Sequence, residues 1–81
     1  MRITVRFFAV LRDAARTDQT SLDLRDGTTV SSAVEVVGER LPNLRPLLPR
    51  VAFAVNRAYV KPDTVLSDGD ELALIPPVSG G

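Results

Sequence analysis

The chain has 81 residues, 44% of them apolar and 25% charged, with ten basic side chains set against ten acidic ones. That length supports one small hydrophobic core, and the cancelling charge provides no overall field for nucleic acid. With neither cysteine nor histidine in the sequence, disulfides, thiolate metal centres, cysteine nucleophiles and histidine-based triads lie outside the chemistry of these side chains.

Residues 2–8 alternate: Ile3, Val5 and Phe7 share one face, and Arg2, Thr4 and Arg6 the other, which predicts a strand buried on one side. The stretch from Ala9 to Arg16 is rich in helix formers but too short to be stable alone, so a turn of helix or a structured loop is expected. Ser21 to Leu24 alternates again and runs into Asp26-Gly27, a turn signal; a hairpin with the first strand follows. Val30, Ala33, Val34, Val37 and Leu41 then form one stripe of an amphipathic helix. Thr28 or Thr29 can cap its start, and Pro42 ends it. Gly38 lies inside this helix at a cost of about 1 kcal/mol against alanine, and close packing against the sheet would account for it.

Three prolines mark residues 42–49 as a connecting loop with Leu44, Leu47 and Leu48 packed beneath. In Val51 to Val55 the large residues face the helix while Ala52 and Ala54 face away. Asn56-Arg57 turns the chain into the short segment Ala58-Tyr59-Val60. Ser67 to Asp70 is a tight turn, since two carboxylates without further oxygen ligands make a poor calcium cage. Glu71 to Ile75 is the last strand, with Leu72 and Leu74 inward and Ala73 and Ile75 outward. The expected fold class is α+β, a mixed sheet over one main helix with the first and last strands as central parallel neighbours. This is the β-grasp, ubiquitin-like arrangement, assigned to residues 1–75. Residues 76–81, Pro-Pro-Val-Ser-Gly-Gly, form a tail: the prolines cannot continue a ladder and favour an extended exit, and the glycines have no Cβ to obstruct a narrow channel. No apolar run approaches the ~20 residues that cross a bilayer, so a cytoplasmic chain without membrane contact is expected.

Ile75, Ala73, Ala52 and Ala54 point away from the helix, and Phe8 falls out of register with the buried side of its strand. Together they would form an apolar patch beside the root of the tail, although single exposed apolar residues are ordinary on any surface.

Phe7-Phe8-Ala9 with Leu11-Arg12, Ala54-Val55-Asn56, Leu66 to Glu71, and Pro76-Pro77-Val78-Ser79-Gly80-Gly81 carry a resemblance over the whole chain. In these motifs, in length and in element order, the chain resembles the small subunits of molybdopterin synthase, sulfur carriers of the ubiquitin-like β-grasp family. The resemblance implies a chain that is not catalytic on its own and binds no cofactor or metal. An E1-like adenylating enzyme would use ATP to activate Gly81, next to Gly80, and a sulfurtransferase system would convert it to a thiocarboxylate. The tail would then deliver sulfur to cyclic pyranopterin monophosphate inside the large subunit, in a heterotetramer. Phe8, Arg12, Tyr59 and Ile75, with Pro76, Pro77, Val78 and Ser79, would be the partner-binding residues. Three other readings stay open at this point: a thiamin thiazole sulfur carrier, a ubiquitin-like protein modifier, and a non-reactive β-grasp interaction module.

Overall fold

The structure, a computed structural model, describes residues 1–77. Strand β1 (Arg2–Phe7) leads through helix α1 (Val10–Ala15) to β2 (Gln19–Asp23) and the main helix α2 (Val30–Arg40). Two short 3-10 turns, Pro42–Leu44 and Leu48–Arg50, lead into β3 (Ala52–Val55), β4 (Ala58–Val60) and β5 (Glu71–Ile75). The sheet order is β2-β1-β5-β3-β4. β1 pairs antiparallel with β2 and parallel with β5, as the strand pattern predicts, while β3 lies antiparallel between β5 and β4. This is the β-grasp arrangement that the strand and helix order predicts.

The alternation in β1 buries Ile3, Val5 and Phe7, which join Leu22, Leu72 and Leu74 on the inner face of the sheet. Against them pack Val30, Ala33, Val34 and Val37 of α2, closed at the ends by Leu11, Leu44 and Leu66. Every member of this cluster is aliphatic or aromatic, so burial costs no unpaired polar side chain. α2 begins at Thr29, whose Oγ1 accepts a hydrogen bond from the Ser32 N–H at 3.3 Å, satisfying one of the open donors of the first turn. It ends at Leu41, as the proline that follows requires. Among the described residues, no helix is long and apolar enough to cross a membrane.

Gly38 calls for a correction: its neighbour is not the sheet. A Cβ there would stand 3.2 Å from Leu48 Cδ1 and 3.3 Å from Arg45 Cγ, and Arg45 Nε donates to the Gly38 carbonyl at 3.0 Å. The missing side chain lets the connection after α2 lie flat on the helix. The loop expected at residues 42–49 is therefore a second small helical layer, built on the turns Pro42–Leu44 and Leu48–Arg50, with Leu44 fully buried.

Candidate functional site

Three turns shape the surface from which the tail departs. The first breaks β1. Leu11 N–H donates to the Phe8 carbonyl at 3.0 Å across a turn whose leading residue, Ala9, has φ 49° and ψ −124°, the geometry of a type II′ turn in which glycine is usual. This reversal sends the chain into α1 and leaves Phe8 exposed while Phe7 stays in the core. The second joins β3 to β4 through Asn56 and Arg57, both with positive φ (51° and 71°), which is a type I′ hairpin. The third is Ser67-Asp68-Gly69-Asp70, closed by the Asp70 N–H to Ser67 carbonyl bond at 3.1 Å with Gly69 at φ 84°.

Residues of the motifs that carried the resemblance lock the second turn to the third, and the third to the start of β1. Asn56 Nδ2 donates to Asp70 Oδ1 at 2.9 Å, and Asn56 Oδ1 accepts from the Glu71 N–H at 3.0 Å. Asp70 Oδ2 accepts from the Ser67 N–H, and Asp68 Oδ1 from the Arg2 N–H at 2.7 Å. Asp68 thus serves the backbone donor at the start of β1, while Asp70 closes its own turn and holds Asn56, whose amide oxygen serves the donor at the start of β5. Their chemistry is structural, as the sequence reading expects.

On the outer face of the sheet, strand register aligns Arg6 with Ala73, Ala73 with Ala54, and Ala54 with Tyr59, one row across four strands. The two alanines form a floor: Ala54 is 4% exposed and Ala73 9%. Here the expectation of an open alanine patch is corrected, because larger side chains rising on either side cover those methyl groups. Arg6, Phe8, Arg57, Tyr59, Glu71 and Ile75 wall a shallow groove of about 350 Å³ over that floor. Tyr59 is 74% exposed and Phe8 40%, so both rims are apolar and open. Ala52 pairs with Ile75 and is exposed beyond the groove's end.

Of the expected partner-binding residues, the structure gathers Phe8, Tyr59 and Ile75 in this groove. Arg12 is not among its walls; it lies exposed on α1. Pro76 and Pro77 leave β5 beside a second, smaller hollow that they line with Val10, Pro46, Leu47 and Arg50. Val78, Ser79, Gly80 and Gly81 lie outside the described residues. Another hollow, about 450 Å³, lies in the helical layer between α2 and the Leu48 turn, and neither proline of the tail borders it.

Sequence reasoning missed Arg6, Arg57 and Glu71. Alternation had put Arg6 on the outer face, but only the register shows that it stands in the row of Ala73, Ala54 and Tyr59. Its guanidinium carbon lies 5.6 Å from the centroid of the Phe8 ring, within cation–π range. Nη1 is 3.9 Å from Glu71 Oε2, too long for a hydrogen bond. Nε is buried with no acceptor among the described residues, a state that costs on the order of 1–3 kcal/mol.

A family model described as the ThiS family matches residues 5–81. The molybdopterin synthase sulfur carrier subunit of Mycobacterium tuberculosis is 37% identical over 82 residues, spanning 100% of this chain and 99% of its own length. Among solved structures, SAMP1 from Haloferax volcanii matches with a TM-score of 0.93 at 26% identity, with 100% of each chain covered. A complex of subunits 1 and 2 of the molybdopterin-converting factor of Helicobacter pylori contains a chain that matches at 0.73 and 27% identity, again over 100% of each. On an end-to-end match of sequence and fold, this chain belongs to the ThiS family and stands among the molybdopterin synthase sulfur carrier subunits.

Proposed function

We propose that this chain carries sulfur on the carboxyl group of Gly81 and delivers it inside the large subunit of molybdopterin synthase. The observation that carries the reading is the match, over the full length of both chains, to a molybdopterin synthase sulfur carrier subunit. The geometry supports it. β5, the central strand of the sheet, ends at the apolar groove and leads directly into Pro76 and Pro77. A partner seated on Phe8, Tyr59 and Ile75 would therefore receive the chain beyond Pro77 at the edge of its own contact surface. The Helicobacter pylori complex of the two subunits supports a large-subunit partner.

A carboxylate resists nucleophiles because its charge is delocalised and oxide is a poor leaving group. ATP, used by an E1-like adenylating enzyme, converts the Gly81 carboxylate to an acyl-adenylate with release of pyrophosphate. A persulfide sulfur from a sulfurtransferase then attacks the acyl carbon and AMP departs. A thiol cleaves the resulting S–S bond, which leaves the thiocarboxylate on Gly81 and a disulfide on the donor. In the large subunit the thiocarboxylate sulfur attacks a carbon of cyclic pyranopterin monophosphate and displaces its oxygen substituent, and water then hydrolyses the acyl–sulfur bond, which leaves the sulfur on the substrate and returns the carrier as a carboxylate; two charged carriers complete the dithiolene in this way. This chain is the sulfur-bearing, non-catalytic subunit and holds no cofactor. In this reading the chain works in the cytoplasm, where the ATP for its activation is supplied. The glycines suit the task, since a Cβ-free end passes a channel closed to bulkier residues.

The match to SAMP1, which is a small archaeal modifier protein, favours a second reading in which the Gly81 carboxyl ends on a lysine amine. Fragmentation mass spectrometry of the C-terminal peptide from native cells separates the two. Sulfur in place of oxygen on Gly81 is expected, and it should vanish when Gly81 is deleted or one residue is added after it. An isopeptide-linked Gly81 would instead establish the modifier, and an active tail-extended variant would refute both. For the assembly we propose two large subunits at the centre with one carrier at each end; sedimentation of the mixed subunits as a one-to-one dimer would refute that arrangement.

A further inference from the structure

The docking groove is not uniformly apolar. Two arginines, Arg6 and Arg57, and one glutamate, Glu71, stand in its walls, so two positive charges against one negative leave a net of +1. Arg6 is the partly buried one. It stands at one end of the row Arg6-Ala73-Ala54-Tyr59, where the small alanines leave the floor open between its guanidinium and Tyr59. Phe8 supports one side of it at 5.6 Å. The hydrogen bonds of the described residues include none from the Arg6 side chain: Glu71 stands off at 3.9 Å, and Nε, already shielded by its surroundings, has no acceptor. A guanidinium is a planar fork of five N–H donors with the geometry to hold a carboxylate through two parallel bonds.

Resting on the proposed docking of the large subunit at this face, we infer that Arg6 is its charge-reading element: it takes a carboxylate of the large subunit, presented between apolar side chains that cover Phe8 and Tyr59. Arg57 stands at the hairpin tip, on the exposed edge of the same groove, and adds attraction over distance without being enclosed. Apolar contact at Phe8, Tyr59 and Ile75 supplies the area, and Arg6 supplies the selection. A partner with a lysine or only apolar groups at that point would leave a desolvated guanidinium with no hydrogen-bond acceptor and only the distant Glu71 carboxylate facing it, which is how an interface rejects wrong partners.

The test is titration of the full-length chain with the large subunit from the same organism over a series of salt concentrations. For the wild type the dissociation constant should rise with salt. Arg6→Leu, which keeps the bulk and removes the charge, should weaken binding at low salt by about tenfold or more and flatten the salt dependence. Arg6→Lys, which restores charge without the fork, should recover the salt slope but only part of the affinity. Circular dichroism of each variant should match the wild type and the urea midpoint should not fall, because Arg6 lies outside the core cluster and Arg6→Leu removes the buried, unpaired Nε. Arg6→Leu binding as tightly as wild type with an unchanged salt slope overturns the inference while leaving the docking face intact. Tyr59→Asp serves as the control on the face itself: if it too binds like wild type, the large subunit docks elsewhere and the inference falls with the docking reading.

Discussion

Ala9 and Arg57 hold backbone conformations that glycine adopts without strain. Ala9 sits at φ 49°, ψ −124° and Arg57 at φ 71°, where a Cβ crowds the neighbouring peptide. Both flank the groove: the first turns Phe8 outward, and the second ends the β3–β4 hairpin beneath Tyr59. Strain of this kind is on the order of 1–3 kcal/mol at a site, while glycine returns about 0.5–1 kcal/mol of that in lost backbone entropy. Ala9→Gly and Arg57→Gly should therefore each stabilise the domain by about 0.5–1 kcal/mol, raising the melting temperature by roughly 2–8 °C. Thermal unfolding of the two variants checks this. An unchanged or lowered melting temperature would mean that neighbouring contacts relieve the strain. Arg16, at φ 61°, closes α1 in the same left-handed region but touches neither the groove nor the tail's root, and is a helix end of the ordinary kind.

At the scale of elements, the strands and the main helix were legible because their burial is one-sided. Ile3, Val5 and Phe7 alternate, and Val30, Ala33, Val34 and Val37 recur with helical spacing; the structure buries all seven. Thr29 and Pro42 marked the ends of α2 for reasons of hydrogen bonding and sterics that act locally. The parallel pairing of β1 and β5 was also accessible, since a helix crossover between the ends of the chain restricts where the last strand can go. What stayed hidden depends on contacts distant in sequence. The reason for Gly38 is Leu48, ten positions later and in a turn whose path no periodicity reveals. The reason for Asn56 is Asp70, which it reaches only because β3 and β5 are neighbours. The apolar members of the groove could be foreseen from their parity along the strands, and Phe8 from its break in register. Arg6 could not be told from Arg2, four residues earlier on the same face. Arg2 is exposed and pairs with Asp23 at 2.9 Å, while Arg6 looks across the sheet to Tyr59, and that distinction exists only once four strands are aligned.

The whole molecule is a single cooperative unit whose ends meet at its centre. Val5 of the first strand lies beside Leu72 of the last, both fully buried, so the chain must be folded from end to end before its tail has a fixed root. A domain of this length has roughly 4–12 kcal/mol of stability in total. Leu72→Ala removes a buried side chain from the middle strand and leaves a cavity among neighbours on β1, β3 and α2, a change that costs about 2–5 kcal/mol. It should lower the urea midpoint by about a sixth or more of its wild-type value without altering the slope of the transition, because one core serves the entire chain. Tyr59→Ser, by contrast, removes a larger side chain from the outer face and should shift stability by no more than about 0.5 kcal/mol. The pair separates folding from docking. Leu72→Ala should bind the large subunit with nearly wild-type affinity once corrected for its folded fraction, since no groove residue has changed. Tyr59→Ser should remain folded and lose affinity. If Leu72→Ala instead broadened the transition or changed its slope, the sheet and helical layer would be separable units, and the placement of the tail's root would rest on β5 and its immediate neighbours alone.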